Sequence, residues 1–447
     1  MLRKSLAGLP QTLDQTYDRI LTAISAEDNA YAIRMLQWLT FSERPLTVEE
    51  IAEVVAIDVN RDPAFDRDEI FEDPSEALDI CSSLVVVTTQ EAKHSKPVRR
   101  IISLAHYSVQ EYLVSDRIRQ GQAKQYSMSK TECHSAIAMG SLKYLLQFQQ
   151  LLSAENLRLF ALADYAANCW HGHFEAGGEE KEAELLAMSL MSMDSPAYLN
   201  WLRLMVHPDG WAMYRFNEHP KNDLTPLCFT ACLGWTAVAR LLIDNGADIN
   251  AQDGFFKPAL HEASRGGHVQ TVSMLLDKGA DINAQSQDYN ITPRRAIESD
   301  NKDIVEILLE RGADPDDPSC RFCSIVLQEA SSLGHTQIVK MLLDTGADPN
   351  ASLDDWYGTA LQEASAKGHD DIVRILLDHK ADVNAGGKFI VGFTNIDSAR
   401  PEFEEYDSAL QAASVKGHYR IVKMLLDAGA QTHQENGPVP ALEGSSA

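Results

Sequence analysis

Four sets of residues in this 447-residue chain have the types and spacing of reactive or ligand-binding groups. Cys320 and Cys323 make a Cys-x-x-Cys pair. That is half of a tetrahedral zinc site, and no second pair stands at usable spacing. Cys169, His171 and His173 are potential metal donors close together, although a polar, partly buried helix end explains them more simply. His268, His335, His369 and His418 each follow a glycine, which suggests a repeated structural role rather than a ligand set. Gly386-Gly387-Lys388-Phe389 approaches the phosphate-cradling loop G-x-x-x-x-G-K-[ST] but lacks its first glycine and its hydroxyl. Neither G-x-S-x-G nor H-E-x-x-H occurs. The expectation is a chain with no catalytic residue, no metal and no cofactor.

Charge narrows the partners. With 39 Lys+Arg against 65 Asp+Glu the formal net charge is −26, which opposes binding to nucleic acid or to an anionic membrane. No apolar run reaches the roughly 20 residues that span a bilayer, and Gly8 and Pro10 interrupt any signal-peptide core. Seven cysteines, an odd number, read as reduced thiols in a cytoplasmic or nuclear protein.

The elements that position these residues are repetitive in the second half. Gly-Ala-Asp recurs at Gly246, Gly279, Gly312 and Gly346, and Lys380-Ala381-Asp382 and Gly429-Ala430-Gln431 continue the series. Leu-Leu pairs (Leu275-Leu276, Leu342-Leu343, Leu376-Leu377, Leu425-Leu426) precede them, and the Gly-His dipeptides lie further upstream. Each unit reads as a short helix, a glycine break and a second helix whose apolar residues share one face. A left-handed cap ends the second helix, and Lys380 takes that cap position without being glycine, so strain is expected there. One unit cannot bury its apolar face, whereas a stack can.

The series resembles the ankyrin repeat, with Thr225-Pro226-Leu227 close to the family's opening motif. Six repeats are expected over residues 222–434, the third being the weakest because Asp300-Asn301 replaces Gly-His, and an insertion is expected at about 386–405. Counting on from each cap, an aromatic recurs: Phe255 and Phe256, Tyr289, Phe322, Trp356 and Tyr357, and Phe389. The ankyrin resemblance puts these rings on hairpin fingers beside the concave surface. There they would either bind a protein partner or pack finger against finger.

The first half reads as helical with one hairpin. Thr47 and Glu50 suggest a capping box, Glu76 to Ser83 a helix, Leu84 to Thr89 and Val98 to Leu104 two strands, and Tyr107 to Gly121 a closing helix started by Ser108 and Glu111. Three short helices and a hairpin make a winged helix. Its recognition helix, Pro74 to Ile80, carries acids and no base, which argues against DNA reading.

Leu9-Pro10-Gln11-Thr12-Leu13-Asp14, Leu36-Gln37-Trp38-Leu39, Cys81-Ser82-Ser83-Leu84-Val85 and His106-Tyr107-Ser108-Val109-Gln110-Glu111-Tyr112-Leu113 resemble the segment that follows the NTPase in fungal NACHT–ankyrin proteins. These belong to the STAND class, related to NOD-like receptors, and their winged helix is grouped with that of GPI inositol-deacylase. The resemblance implies a mainly α chain. Its parts would be a linker helix (1–27), a winged-helix domain (28–125), a helical domain (126–221), the ankyrin array and a disordered tail (435–447). It further implies a non-enzymatic scaffold whose ankyrin arm binds a protein and whose first half signals to an NTPase module, in cis or in trans. Two alternatives stay open: a nuclear coregulator acting through a protein partner, or a fragment of a longer P-loop NTPase.

Overall fold

The computed structural model describes residues 12–71, 73–90, 99–193, 195–205, 225–251, 258–282, 296–297, 300–311, 322–351, 358–385, 389–391 and 404–431, with backbone alone at 90, 154, 322–325, 389–391 and 404–405. They divide into two units, Met1–Pro226 and Leu227–Ala447.

In the first unit, helix Leu13–Thr22 starts where Thr12 accepts from the Gln15 amide at 3.2 Å. Helix Val48–Val55 opens on the expected capping box. The Glu50 amide donates to Thr47 Oγ1 at 3.2 Å, and the Thr47 amide donates to Glu50 Oε2 at 2.7 Å. Such a cap stabilises a helix by about 1 kcal/mol.

The hairpin is present as β2 (Val85–Gln90) and β3 (Arg99–Leu104), and β1 (Leu46–Thr47) joins it to give the antiparallel order β1-β3-β2. A two-residue strand is too short for alternation to register in sequence, so β1 was not expected.

Three boundaries are corrected. The acidic helix is only Glu76–Ile80. The closing helix breaks at Ser115 into Tyr107–Val114 and Asp116–Gln120. His106 caps it instead of Ser108, because His106 Nδ1 accepts the Ser108 amide at 3.2 Å and Ser108 Oγ bonds the Tyr17 hydroxyl at 2.7 Å.

Helices Lys130–Leu146, Ala163–Gly177, Lys181–Leu190 and Pro196–Met205 complete this unit around buried Tyr144, Tyr165, Trp170 and Trp201. Gly177 is required by a close approach: a Cβ there would sit 2.8 Å from the Ser135 amide nitrogen.

The second unit is a stack of helix pairs. First helices are Pro226–Leu233, Ala259–Arg265, Phe322–Leu333, Ala360–Lys367 and Ala409–Lys416; second helices are Thr236–Asp244, Val269–Asp277, Lys302–Glu310, Thr336–Asp344, Asp370–Asp378 and Tyr419–Asp427. The second helices pack in one row in chain order, and the last three first helices pack in another. Apolar residues at helical spacing, such as Ile372, Val373 and Leu376, face the core. Lys380 adopts φ 68° where Gly246, Gly279, Gly346 and Gly429 lie between 92° and 104°, so the expected strain is present. At the insertion, β4 (Phe389–Val391) and β5 (Glu404–Tyr406) pair antiparallel, with Phe389 opposite Tyr406. Tyr406 is buried with Ala366 and Ala412, on the first helices of the fifth and sixth repeats.

Candidate partner-binding surface

The repeats lock together through three recurring contacts, and these account for three of the four histidines that follow a glycine. First, a histidine from one repeat seats on the glycine of the preceding one. His268 Nε2 bonds the Cys232 carbonyl at 2.9 Å, His369 Nε2 the Ser332 carbonyl at 3.0 Å and His418 Nε2 the Ala366 carbonyl at 3.2 Å. In the degenerate third repeat Asn301 stands in the histidine's place and donates to the carbonyl of Gly267 itself at 3.1 Å. His335, whose predecessor lacks the glycine, instead lies 2.8 Å from Asp300.

Second, at three of the caps a following asparagine accepts a backbone amide of the next repeat. The pairs are Asn250 from Asp281 (2.9 Å), Asn350 from Asp382 (2.6 Å) and Asn384 from Gln431 (2.8 Å). Third, a basic residue after the second helix reaches the aspartate ending the preceding second helix. Lys278 pairs with Asp244, Arg311 with Asp277 at 2.7 Å and His379 with Asp344 at 3.6 Å.

On the first helices, the residue five before each break falls in register: Phe229, Glu262, Glu329, Glu363 and Ala412. Glu262 is bound by Arg265 at 2.7 Å. Glu363 accepts from Ser332 Oγ at 3.1 Å, and burial raises its carboxyl above the ordinary value. This acidic register was missed in sequence, although its fixed offset from the glycine was visible there.

Of the aromatic residues expected to bind a partner, Phe255, Phe256, Tyr289, Trp356 and Tyr357 lie outside the described residues. Phe322 is corrected: it begins helix Phe322–Leu333 and is not on a finger. The fifth repeat has Gly358-Thr359 to stop and cap its first helix, whereas the fourth has Ser324-Ile325, so its helix extends further back. Phe389 stands in β4. Cys320 lies outside the described residues, and Cys323 falls within helix Phe322–Leu333.

The Cys169–His171–His173 group is not a part-buried helix end. It runs along the middle of helix Ala163–Gly177, and His173 is fully buried. His173 Nδ1 faces His134 Nδ1 at 2.8 Å, and its Nε2 faces the Tyr165 hydroxyl, also at 2.8 Å. Tyr165 in turn accepts the Glu43 amide at 3.1 Å. Burial, aided by His134 and His171, lowers the His173 pKa to about 3; burial lowers that of His171 to about 4 and lifts the Cys169 thiol to about 12. A thiol so protonated is a poor nucleophile and a poor ligand. No group of three or more possible metal-binding side chains occurs among the described residues.

Elsewhere in this unit, Glu53 on helix Val48–Val55 accepts from the Tyr144 hydroxyl and from the amides of Ala161 (3.0 Å) and Leu162 (2.8 Å). It fastens the winged helix to the helices that follow. On the winged helix, Arg100 is tied to Glu49 at 3.0 Å and to Ser75 Oγ at 3.1 Å, so an arginine of the wing strand serves the fold.

Comparison with known proteins agrees with both halves. Residues 17–128 match the family described as GPI inositol-deacylase, winged helix domain. Residues 198–286 and 294–386 match ankyrin repeats (3 copies), and residues 405–437 match a further ankyrin repeat. The azaphilone pigments biosynthesis cluster protein L of Monascus ruber is 33% identical over 284 residues, covering 60% of this chain and 59% of that protein. The human ASB11 ankyrin repeat domain is 25% identical, with a TM-score of 0.40, over 48% of this chain and 87% of that one. An ankyrin repeat domain from Acinetobacter baumannii is 26% identical, with a TM-score of 0.38, over 46% of this chain and 98% of that one.

The chain thus joins a winged-helix domain to an ankyrin-repeat array, an architecture of protein–protein interaction that is typically non-catalytic. Among the described residues no helix is long and apolar enough to cross a membrane.

Proposed function

We propose that this chain is a non-enzymatic scaffold whose ankyrin array captures a protein through the face formed by its first helices and fingers, while the winged-helix unit reports the capture. One observation carries this reading. The repeats' histidines, asparagines and helix-end aspartates are taken up by stacking between neighbours, which leaves capture of a partner to the fingers and the outward residues of the first helices.

The winged helix and the resemblance to NACHT–ankyrin proteins support an NTPase module, in cis or in trans, as the recipient of the signal. That the Monascus ruber relative belongs to a pigment biosynthesis cluster leaves room for a second setting, in which the same array would act as a coregulator through a protein partner.

The test is affinity capture and cross-linking from a fungal extract with the full chain, against a Trp356→Ala/Tyr357→Ala chain. Loss of one defined partner in the variant is the expected result. An identical set of partners in both would overturn the finger-and-first-helix reading. A captured NTPase favours the signalling setting, and a captured transcription factor favours the coregulator.

A further inference from the structure

Strand β2 is the outermost of the winged-helix sheet, in the order β1-β3-β2. Its pairing with β3 runs without a bulge from Val85 opposite Leu104 to Gln90 opposite Arg99. Just before it, the Leu84 carbonyl accepts the Ala105 amide at 2.8 Å. In an antiparallel ladder the residues that exchange bonds with a given neighbour alternate along the strand. Val86, Thr88 and Gln90 therefore bond to β3, while Val85, Val87 and Thr89 turn their N–H and C=O groups to the outer edge. Among the described residues no hydrogen bond is made along that edge.

Sheet edges are ordinarily guarded by a charge, a proline, a bulge or a very short strand. This one has no such guard. Residues 85–89, Val-Val-Val-Thr-Thr, are all β-branched and uncharged. Val86 is 41% exposed and Val87 38%, and Thr88 and Thr89 are exposed as well. The strand next to it is already committed to the fold: Ile102, opposite Val87, is buried, and Arg100 is held by Glu49 and Ser75.

We propose that β2 pairs antiparallel with the β2 of a second copy of this chain, about a two-fold axis at Val87. The occupant follows from the edge. Outward donors and acceptors at every second residue are satisfied by extended backbone. These residues are placed symmetrically about Val87, so identical strands set Val87 against Val87 and Val85 against Thr89, and each such pair exchanges two hydrogen bonds. Between them Val86 faces Thr88, a β-branched cross-strand pair. Because the strand carries no charge, no like charges are brought together across the axis. The two sheets become one, in the order β1-β3-β2-β2-β3-β1. Each copy also carries a net charge of −26, so their long-range repulsion is screened by salt and the pairing tightens as salt rises.

The test is sedimentation equilibrium of the full chain over about 1 to 300 µM, a range suited to the small area of an edge pairing. Hydrogen exchange resolved to single amides is followed over the same range. Dimers are expected, tighter at higher salt. In the dilute chain the amides of Val85, Val87 and Thr89 should exchange fast and those of Val86 and Thr88 slowly. On dimerisation the three fast amides should become slow. Val87→Pro deletes one outward donor from each copy and spares the bonds to β3, so self-association should weaken about thirtyfold. Val87→Lys, which sets two ammonium groups face to face, should weaken it as well. Circular dichroism matching the unsubstituted chain shows that each variant is folded. A chain that stays monomeric throughout, or a dimer that both folded variants leave intact, overturns the proposal. So does a dimer in which Val85, Val87 and Thr89 still exchange fast. Slowing of those amides only when a different protein is added would give the edge to a foreign strand and equally overturn it.

Discussion

Acidification from about pH 7.5 to about pH 5 should destabilise the first unit by about 2 kcal/mol through His173 alone. The imidazole is fully buried, and burial with neighbouring His134 and His171 depresses its pKa from 6.5 to about 3. The unfolded chain therefore takes up a proton near pH 6.5 that the folded chain refuses until about pH 3. The stabilising contribution is complete above the unfolded value and falls by about 1.4 kcal/mol for each pH unit below it. At about pH 5 the gap is about 1.5 units, which gives the 2 kcal/mol loss.

The assay is urea unfolding of the full chain across that range, read by hydrogen exchange in helix Ala163–Gly177. His173→Gln keeps an acceptor for the Tyr165 hydroxyl while removing the titration. The carboxyls of Glu43 and Glu53, both raised by burial, contribute the opposite slope, since their protonated forms suit the folded state. The decisive quantity is thus the difference between wild type and variant. That difference should shrink as the pH falls, by about one proton's worth. Parallel profiles would refute the assignment of a neutral, buried His173.

Three other outcomes follow from the contacts. Tyr144→Phe removes the hydroxyl donor to Glu53 and should cost about 1–3 kcal/mol in urea unfolding, while Glu53→Ala, which strands that hydroxyl and two amides, should cost more. Lys380→Gly relieves a left-handed lysine and should raise the stability of the array by about 1 kcal/mol, visible as a higher Tm. Asn350→Ala loses the bond from the Asp382 amide, so helix Asp370–Asp378 should exchange its amides several-fold faster, by about 1 kcal/mol of lost protection, with helix Thr236–Asp244 unaffected.

The array was legible in sequence because its information is periodic. Gly-His, Leu-Leu and Gly-Ala-Asp recur at fixed offsets, and even the strain at Lys380 follows from a lysine in a glycine's place. Contacts that join residues far apart were not legible. Nothing near Glu53 in sequence points to Ala161, and nothing near His173 points to His134, because helix packing and not spacing brings them together. The acidic register on the first helices was available, but its residues looked like ordinary solvated charge. Phe322 shows the converse error: an offset counted from one cap ignored that the next helix lacked its own stop.

The stem of the insertion has a consequence for how the array can change. Phe389 pairs with Tyr406, and Tyr406 is buried with Ala366 and Ala412, so the strand ends Val391 and Glu404 are held side by side at one fixed point. The entropy of closing a loop on a fixed stem grows only logarithmically with its length, about 0.6 kcal/mol per doubling. The junction between the fifth and sixth repeats is therefore a natural graft point. A longer loop, a recognition peptide or a small reporter domain can be spliced there with the register of the helices on either side undisturbed.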